Sequence, residues 1–300
     1  MPGMSTIMKK EISDTVTNKS FLLSLGILVI CMALAGFAAG NTFNSQRYGM
    51  ARDRLIILSN MAPIINLLGA LVAVALGFAS INKERPEGSL KVVLSYPIYR
   101  DQIILGKLFA NLAILTVATI AASGISLSIF LAMTKIVLDS EMLLRFATLT
   151  CLAILLLSTY LGLSIILSAK ISDPKTTLLF TFLTLGVFNS EIFHSTGEIL
   201  SRLFYNKVTR AWGLAGSEPT FTPAKNLQNF ISSLSPAYDF STFATNLGSY
   251  LQPLNINNVV INARFKDLIA NNLVYLPILI TLPIAMFVGC YILFTRMDVS

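Results

Sequence analysis

Residues 84–100 have the sequence ERPEGSLKVVLSYPIYR, a charged stretch enclosed by two long apolar runs. The runs on either side, residues 61–81 and 108–134, contain no Asp, Glu, Lys or Arg. Each is long enough to cross the hydrocarbon core of a membrane, which takes about 20 apolar residues in a helix. The pattern therefore predicts two membrane-spanning helices joined by a short polar segment, residues 82–107.

The composition extends this interpretation to the whole chain. Hydrophobic residues make up 54% of the 300 residues and charged residues 12%, with a mean hydropathy of +0.72, values typical of polytopic membrane proteins. Six windows poor in charge predict six spans, and the fifth is the weakest because Glu191 and His194 shorten it. The windows are 21–40, 61–81, 108–134, 146–169, 176–193 and 273–295. The sequence thus predicts an all-α integral membrane protein with a single transmembrane domain over residues 1–300. In the first span, Gly36-xxx-Gly40 predicts a helix-packing face.

Lys and Arg in the short loops predict the orientation. With the N-terminus in the cytoplasm, eleven lie on the cytoplasmic side and five on the other, which favours a multi-pass protein of the cell membrane with both termini cytoplasmic. The eleven are Lys9, Lys10, Lys19, Lys83, Arg85, Lys91, Arg100, Lys107, Lys170, Lys175 and Arg296. The five are Arg47, Arg52, Arg54, Lys135 and Arg145. The net charge of +7 follows from these flanking cations, so we expect no nucleic-acid partner.

Two segments outside the spans have their own character. Residues 5–20 place Ile7, Ile12 and Val16 near helical spacing with charges between them, which predicts an interfacial helix; a frayed, solvated tail is the alternative. Residues 195–272 form a long extracytoplasmic loop between the fifth and sixth spans. Its scattered aromatic residues and prolines favour short helices and turns packed on the mouth of the spans.

Residues with catalytic or metal-binding chemistry are scarce. Cys31, Cys151 and Cys290 lie in apolar runs without disulfide or metal-ligand spacing. The single histidine, His194, is expected to be an interfacial polar residue. We therefore expect no catalytic site, no metal site and no cofactor.

The chain also lacks an energy source of its own. Gly106-Lys107 resembles the end of a phosphate-binding loop, but Leu108 follows where Ser or Thr must hold magnesium, and Asp101 takes the place of the first glycine. The spans contain no carboxylate or histidine at mid-depth for a coupling proton. Coupling to sodium ions is an alternative that would need unwound helices, and Pro277 and Pro283 in the last span are the only residues that suggest them. The pattern favours a separate ATPase that uses the ATP.

The segment between the second and third spans has the features of a docking element. Gly88 and Pro97 bound a short helical piece, Ser89 can cap its start, and Leu90 and Leu94 lie on one apolar face. Its mixed charges could contact a partner protein. The alternative is a solvated loop whose Lys and Arg only fix the topology.

This order of residues is similar to the recurrent segment between the second and third spans of type 2 permeases, the membrane subunits of ATP-binding-cassette (ABC) exporters. That family includes copper-site maturation, sodium-efflux and antibiotic-resistance permeases. The similar positions are Glu84-xxx-Gly88-Ser89-Leu90, Leu94-Ser95-x-Pro97-Ile98-x-Arg100, Ile103 and Gly106-Lys107, with Lys9-Lys10-Glu11, Ser235-Pro236 and Arg296-x-Asp298 elsewhere. The motif carries no information about cargo, and the loop 195–272 is longer than the family leads us to expect.

The resemblance implies a permease subunit without enzymatic activity that forms the translocation path of an exporter. It implies separate cassette ATPase subunits and a second permease copy as partners, within membrane lipid. The implied ATPase-coupling residues are Glu84, Glu87, Gly88, Ser89, Leu90, Leu94, Pro97 and Arg100. An ion-coupled secondary carrier or a non-transport membrane scaffold is the alternative function.

Candidate path-lining residues lie on the second and fifth spans, which by resemblance face the dimer axis. Asn66 precedes a stripe of small residues, Gly69, Ala73 and Gly77, and the fifth span carries a polar stripe. The stripe consists of Thr177, Thr181 and Thr184. Close helix packing, with threonines bonded back to their own helix, explains both stripes equally well.

Overall fold

The computed structural model describes residues 2–45, 55–82, 100–171, 173–188, 196, 199, 230–248, 251–253, 260–262 and 265–295. The helices, in chain order, are α1 (Pro2–Val16), α2 (Lys19–Ser45), α3 (Ile56–Ile64), α4 (Ala70–Asn82), α5 (Arg100–Thr134), α6 (Ser140–Lys170), α7 (Pro174–Phe188), α8 (Pro236–Gly248), α9 (Phe265–Asn272) and α10 (Leu276–Thr295). A π-helical turn, Ile65–Gly69, joins α3 to α4, and a 3-10 turn, Leu273–Tyr275, leads into α10. Two three-residue strands, β1 (Leu251–Pro253) and β2 (Val260–Asn262), pair antiparallel.

Five helices among the described residues are long and apolar enough to cross a membrane. They are Lys19–Ser45, Ile56–Phe78, Gln102–Thr134, Ser140–Lys170 and Leu276–Thr295. These correspond to the first, second, third, fourth and sixth predicted spans, so the expectation of a helical, multi-pass membrane protein is confirmed. The short β1–β2 ribbon, within the loop 195–272, is a local exception to the helices and turns expected there.

The fifth predicted span, residues 176–193, is described only in part. Helix α7 has 15 residues in the described range, and Asp173 caps its start by accepting a hydrogen bond at 3.2 Å from the Thr176 backbone N–H. Residues 189–193 lie outside the described residues. A sixth span therefore stays a prediction.

Helix α1 covers most of the predicted segment 5–20 and ends at Val16. Asn18 separates it from the first span by capping α2, since its side-chain oxygen accepts a hydrogen bond at 3.1 Å from the Ser20 backbone N–H. Helix α1 packs chiefly against α5. Its position at the membrane interface stays a prediction.

The spans pack through glycines where two backbones approach closely. A Cβ atom added at Gly36 would lie 2.3 Å from the carbonyl oxygen of Ser126, and one added at Gly40 would lie 3.0 Å from the side chain of Met133. The backbone of α5 leaves no room for a side chain at Gly36, and Gly40 packs closely on the Met133 side chain, so the predicted Gly36-xxx-Gly40 packing face is confirmed.

Helix α6 is the centre of the bundle, since it packs against α4 on one side and α10 on another. The contact with α4 is close, because a Cβ at Gly77 would lie 2.7 Å from the Cβ of Ser164. It is also polar: the hydroxyl of Ser164 donates to the carbonyl oxygen of Val74 at 2.9 Å. The small-residue stripe of the second span thus packs against the fourth span.

The faces that point away from this core are apolar. Large exposed hydrophobic side chains on α2, α7 and α10 would be unfavourable in water, and they fit contact with lipid or another membrane helix. Leu23 on α2 and Leu183 on α7 are examples, more than half exposed. The burial pattern therefore agrees with a membrane location.

Candidate functional site

The predicted coupling segment, residues 82–107 between the second and third spans, lies mostly outside the described residues. Glu84, Glu87, Gly88, Ser89, Leu90, Leu94 and Pro97 fall between Asn82 and Arg100, in the range 83–99 that the structure does not describe. Arg100 is the first residue of α5. The two ends of the segment are described, where α4 ends at Asn82 and α5 begins, and they carry the most distinctive polar cluster of the bundle.

This cluster, the polar clamp, consists of Glu11, Ser80 and Lys107. The ammonium of Lys107 donates hydrogen bonds to both carboxylate oxygens of Glu11, at 3.0 Å and 3.3 Å, and to the carbonyl oxygen of Ser80 at 2.9 Å. Lys107 is 3% exposed and Glu11 9%. One ammonium therefore connects three elements, namely α1, the end of α4 and the start of α5, with most of its hydrogen-bonding capacity used.

Local structure explains each partner of the clamp. Ser80 lies in the last turn of α4. Carbonyl oxygens in the last turn receive no hydrogen bond from an N–H of their own helix, so the Ser80 oxygen is available to Lys107. Glu11 lies on the inward face of α1, the face that also carries Ile7 and Ile12. Both charges are buried, so each stabilises the bundle only while its partner is present. Removing one of them leaves an unpaired charge away from water.

Sequence reasoning missed the clamp. It used Lys107 as a topology signal and in the family motif, and Glu11 as one of the charges of residues 5–20 and in the family motif. The usable signal was the position of Glu11 between the apolar residues Ile7, Met8 and Ile12, since a carboxylate on the buried face of an amphipathic helix needs a cationic partner. Nothing in the spacing identified Lys107 as that partner, because 96 residues separate the two.

The candidate path-lining residues occupy two different settings. Asn66 lies in the π-helical turn that follows Pro63, and it is partly exposed. Such π turns in helices are frequent at functional sites. The neighbouring residues Gly69 and Gly77 instead face α6.

The threonines of α7 bond to their own helix or the turn before it. The hydroxyl of Thr177 donates to the carbonyl oxygen of Asp173 at 2.9 Å, and that of Thr181 donates to Thr177 at 2.6 Å. Both side chains are buried, whereas Thr184, which donates to Phe180 at 3.0 Å, is partly exposed. A path-lining role for these residues stays a prediction.

At the other end of the bundle, α8 forms a cap helix (Pro236–Gly248) that packs on α3 and α6. Ser235 caps its start, since its hydroxyl accepts a hydrogen bond at 3.2 Å from the Tyr238 backbone N–H. Arg145 of α6, fully buried, holds its other end by donating from Nη1 to the Leu247 carbonyl oxygen at 3.0 Å. The guanidinium also pairs with Glu141 at 2.5 Å.

The remaining chemistry of the described residues is sparse. They contain no group of three or more His, Cys, Asp or Glu side chains that could hold a metal ion. Cys290, in α10, donates from its thiol to the carbonyl oxygen of Gly162 at 3.1 Å, so it contributes to helix packing.

Two comparisons with known proteins both find similarity to ABC transporter proteins. A family model described as "ABC-2 family transporter protein" matches residues 5–299. A probable ABC transporter permease protein NosY of Pseudomonas aeruginosa is 28% identical over 176 residues, which is 58% of this chain and 62% of that protein. A protein of the same name from Stutzerimonas stutzeri is 32% identical over 118 residues, or 39% of this chain and 42% of that protein. Each match covers less than two thirds of the relative's own length.

Proposed function

Because the chain belongs to the ABC-2 family of transporter proteins, we propose that it is the transmembrane subunit of an ATP-driven exporter. Separate cassette ATPase subunits bind it on the cytoplasmic side, and it forms the translocation path together with a second permease copy. Both termini and residues 82–107 lie in the cytoplasm, and residues 195–272 lie outside.

The observation that carries this proposal is the polar clamp at the base of the coupling segment. Force applied to residues 83–99 must enter the bundle through their two ends, at Asn82 and Arg100. The clamp joins these ends through Ser80 and Lys107, and it adds α1 through Glu11. A movement of the coupling segment would therefore shift the second span, the third span and α1 together.

The clamp also explains why Gly106-Lys107 does not form a nucleotide site. Both residues lie inside the regular helix α5, and the Lys107 ammonium is bound to Glu11 and Ser80. In a phosphate-binding loop the lysine reaches the β- and γ-phosphates from a glycine-rich loop instead. This supports hydrolysis of ATP by a partner subunit.

Within the coupling segment, we assign contact with the ATPase to Glu84, Glu87, Gly88, Ser89, Leu90, Leu94, Pro97 and Arg100. Along the path, the partly exposed Asn66 in its π turn is the best supported lining residue, since the threonines Thr177, Thr181 and Thr184 use their hydroxyls within α7. The apolar outer faces of α2, α7 and α10 supply surface for the second copy and for lipid.

Co-purification of the ATPase with the tagged permease tests this function. We expect Glu87→Lys and Gly88→Val to lose the ATPase, because inverting one member of a partly buried interfacial charge pair weakens binding by about 2–5 kcal/mol. Lys135→Glu, at the C-terminal end of α5, is the matched control and should retain it. Equal recovery of the ATPase with all three variants would contradict the proposal.

The alternatives predict different results. An ion-coupled carrier would transport under an ion gradient without any ATPase, and a scaffold would show no transport with or without one. Purified permease alone should hydrolyse no ATP, and hydrolysis should appear when the ATPase is added. Transport by the permease alone in ion-loaded vesicles would favour the carrier.

A further inference from the structure

The cap helix α8 contains a buried carboxyl group that the proposed transport mechanism does not use. Asp239 is 0% exposed, and among the described residues neither of its side-chain oxygens has a hydrogen-bond partner. Buried carboxylates are usually paired or hydrogen-bonded, because an isolated charge away from water is strongly unfavourable. An orphaned carboxyl in a tightly packed helix therefore calls for a chemical explanation.

Asp239 belongs to the buried side of the cap helix. The side chains of Phe240, Phe243, Ala244 and Leu247 on the same helix belong to the buried part of the bundle. The cap helix packs against α3, α6, α9, α10 and the 3-10 turn Leu273–Tyr275. It thereby closes the end of the second span opposite to the polar clamp.

In the part of the chain that the structure describes, no cation is hydrogen-bonded to Asp239. Tyr275 on the 3-10 turn is an electrostatic neighbour of Asp239, since burial, Tyr238 and Asp239 together raise the pKa of Tyr275. On α6, Arg145 binds Glu141 and the Leu247 carbonyl oxygen. Helix α3 has no titratable residue. The titratable residues of α9 and α10 are Lys266, Asp267, Cys290 and Tyr291.

A proton is the cation that fits this site. A metal ion would need additional carboxylate, imidazole or thiolate ligands, and the described residues hold no such group. A proton needs only one carboxylate oxygen and leaves a neutral group that an apolar setting tolerates. We propose that Asp239 is a proton-binding site that holds the cap helix in its docked position, and that release of this proton to the outer solution favours undocking.

The direction of the pH effect follows from the burial of the group. Burial raises the pKa of Asp239 from the ordinary 3.8 to about 8. The docked helix therefore binds the proton more tightly than the undocked helix, and docking is strongest at acid pH. Docking weakens as pH rises from about 4 to about 8, by up to tenfold in the undocked-to-docked ratio per pH unit, and it changes no further at higher pH.

Hydrogen–deuterium exchange of the full chain in lipid nanodiscs tests the proposal. The measured exchange rate of each α8 amide is divided by its intrinsic rate, which itself depends on pH. The quotient is the opening ratio, the ratio of open to closed molecules at that amide. We expect this ratio to rise at least tenfold between pH 6 and pH 8 in the wild type. In Asp239→Asn, which has no proton to lose, it should not change with pH.

Two controls keep the result interpretable. Amides in the middle of α6 should keep a pH-independent opening ratio, and a parallel rise there would show global loosening and overturn the proposal. Asp239→Leu, neutral and similar in size, should match Asp239→Asn and serves if the asparagine variant folds poorly. A wild-type opening ratio that is flat or falls between pH 6 and pH 8 would overturn the proton site, whatever the result of the ATPase experiments.

Discussion

Glu11 and Asp239 are both buried carboxyl groups, at opposite ends of the second span, and the bundle accommodates them in opposite ways. Glu11 is bound to the Lys107 ammonium at 3.0 Å, whereas no described residue is hydrogen-bonded to either oxygen of Asp239. A charge that is paired inside the protein adds a fixed connection between the elements that supply it. A carboxyl neutralised by a proton adds a connection that depends on the solution. The end of the bundle that carries the clamp is thus joined by a fixed ion pair, whereas under our proposal the end that carries the cap helix is joined by a contact that depends on pH.

Breaking the clamp should give the largest effect. Lys107→Met leaves the Glu11 carboxylate buried without a cation, so the free energy of unfolding should fall by about 3–5 kcal/mol. Removing both charges in Glu11→Met/Lys107→Met should restore most of it, because well-packed apolar side chains replace the pair. Denaturant titration in detergent measures both, with the exposed Lys10→Met as a control. A single variant as stable as the double variant would mean that the clamp contributes little.

Removing the buried cation beside the cap helix should have a smaller effect on stability. Arg145→Met leaves the Leu247 carbonyl oxygen without its donor, but Glu141 can still reach solvent, so we expect a loss of about 2–3 kcal/mol. Amide protection should drop in α8 more than in α4 and α5. Lys170→Met, an exposed change on the same helix, is the matched control. Equal loss of protection at both ends would contradict the separation of the two regions.

A steric change beneath the clamp should have an intermediate to small effect. Gly77→Ala places a methyl group 2.7 Å from the Cβ of Ser164 and 2.8 Å from the carbonyl oxygen of Leu161, so α4 must shift away from α6. Such overpacking destabilises a core by about 1–3 kcal/mol. Thermal unfolding of this variant can be compared with Gly124→Ala, where the added methyl group meets nothing within 4 Å. No difference between the two would exclude a tight α4–α6 contact.

The smallest effect is expected for Asp239→Asn in acid. At pH 5.5 the wild-type carboxyl is neutral, and the thermal midpoint of the variant should nearly equal that of the wild type. At pH 8 the variant should be the more stable of the two, because only the wild type has an ionised form that favours undocking. A variant that is less stable than the wild type at pH 8 would indicate a bound cation at Asp239 instead.

The same buried charges show where sequence reasoning succeeded and where it stopped. Charge-free windows located five spans, but they placed the start of the third at residue 108 and of the fourth at 146. The helices begin at Arg100 and Ser140, because Lys107 and Arg145 lie inside them and are neutralised by Glu11 and Glu141. A hydropathy window treats every charge as solvated, so it ends a helix wherever a paired charge occurs.

Long-range contacts explain why the sequence did not predict the polar clamp or the contact between Arg145 and the cap helix. Local patterns identified the amphipathic α1 and the Gly36-xxx-Gly40 contact, whereas Ser235-Pro236 was noted only as a family resemblance and not as the start of a helix. The partners of Glu11 and Leu247 lie about a hundred residues away in sequence, and no periodicity connects them. Arg145 is also a weaker indicator of orientation than the count assumed, because its guanidinium is bound to Glu141 and the Leu247 carbonyl oxygen. Lys107 loses weight on the cytoplasmic side for the same reason.

We propose that force from a separate ATPase enters through residues 82–107 and passes to the spans by way of the clamp. Double electron–electron resonance on the assembled complex tests it directly, with a spin label at Val137→Cys, an exposed position beyond the end of α5, in each permease copy. Cys31, Cys151 and Cys290 are first replaced by alanine. We predict that ATP with vanadate shifts the label-to-label distance in the parent protein. In the folded Glu11→Met/Lys107→Met variant the shift should be largely lost while ATP hydrolysis persists. An equal shift in both proteins would contradict the account.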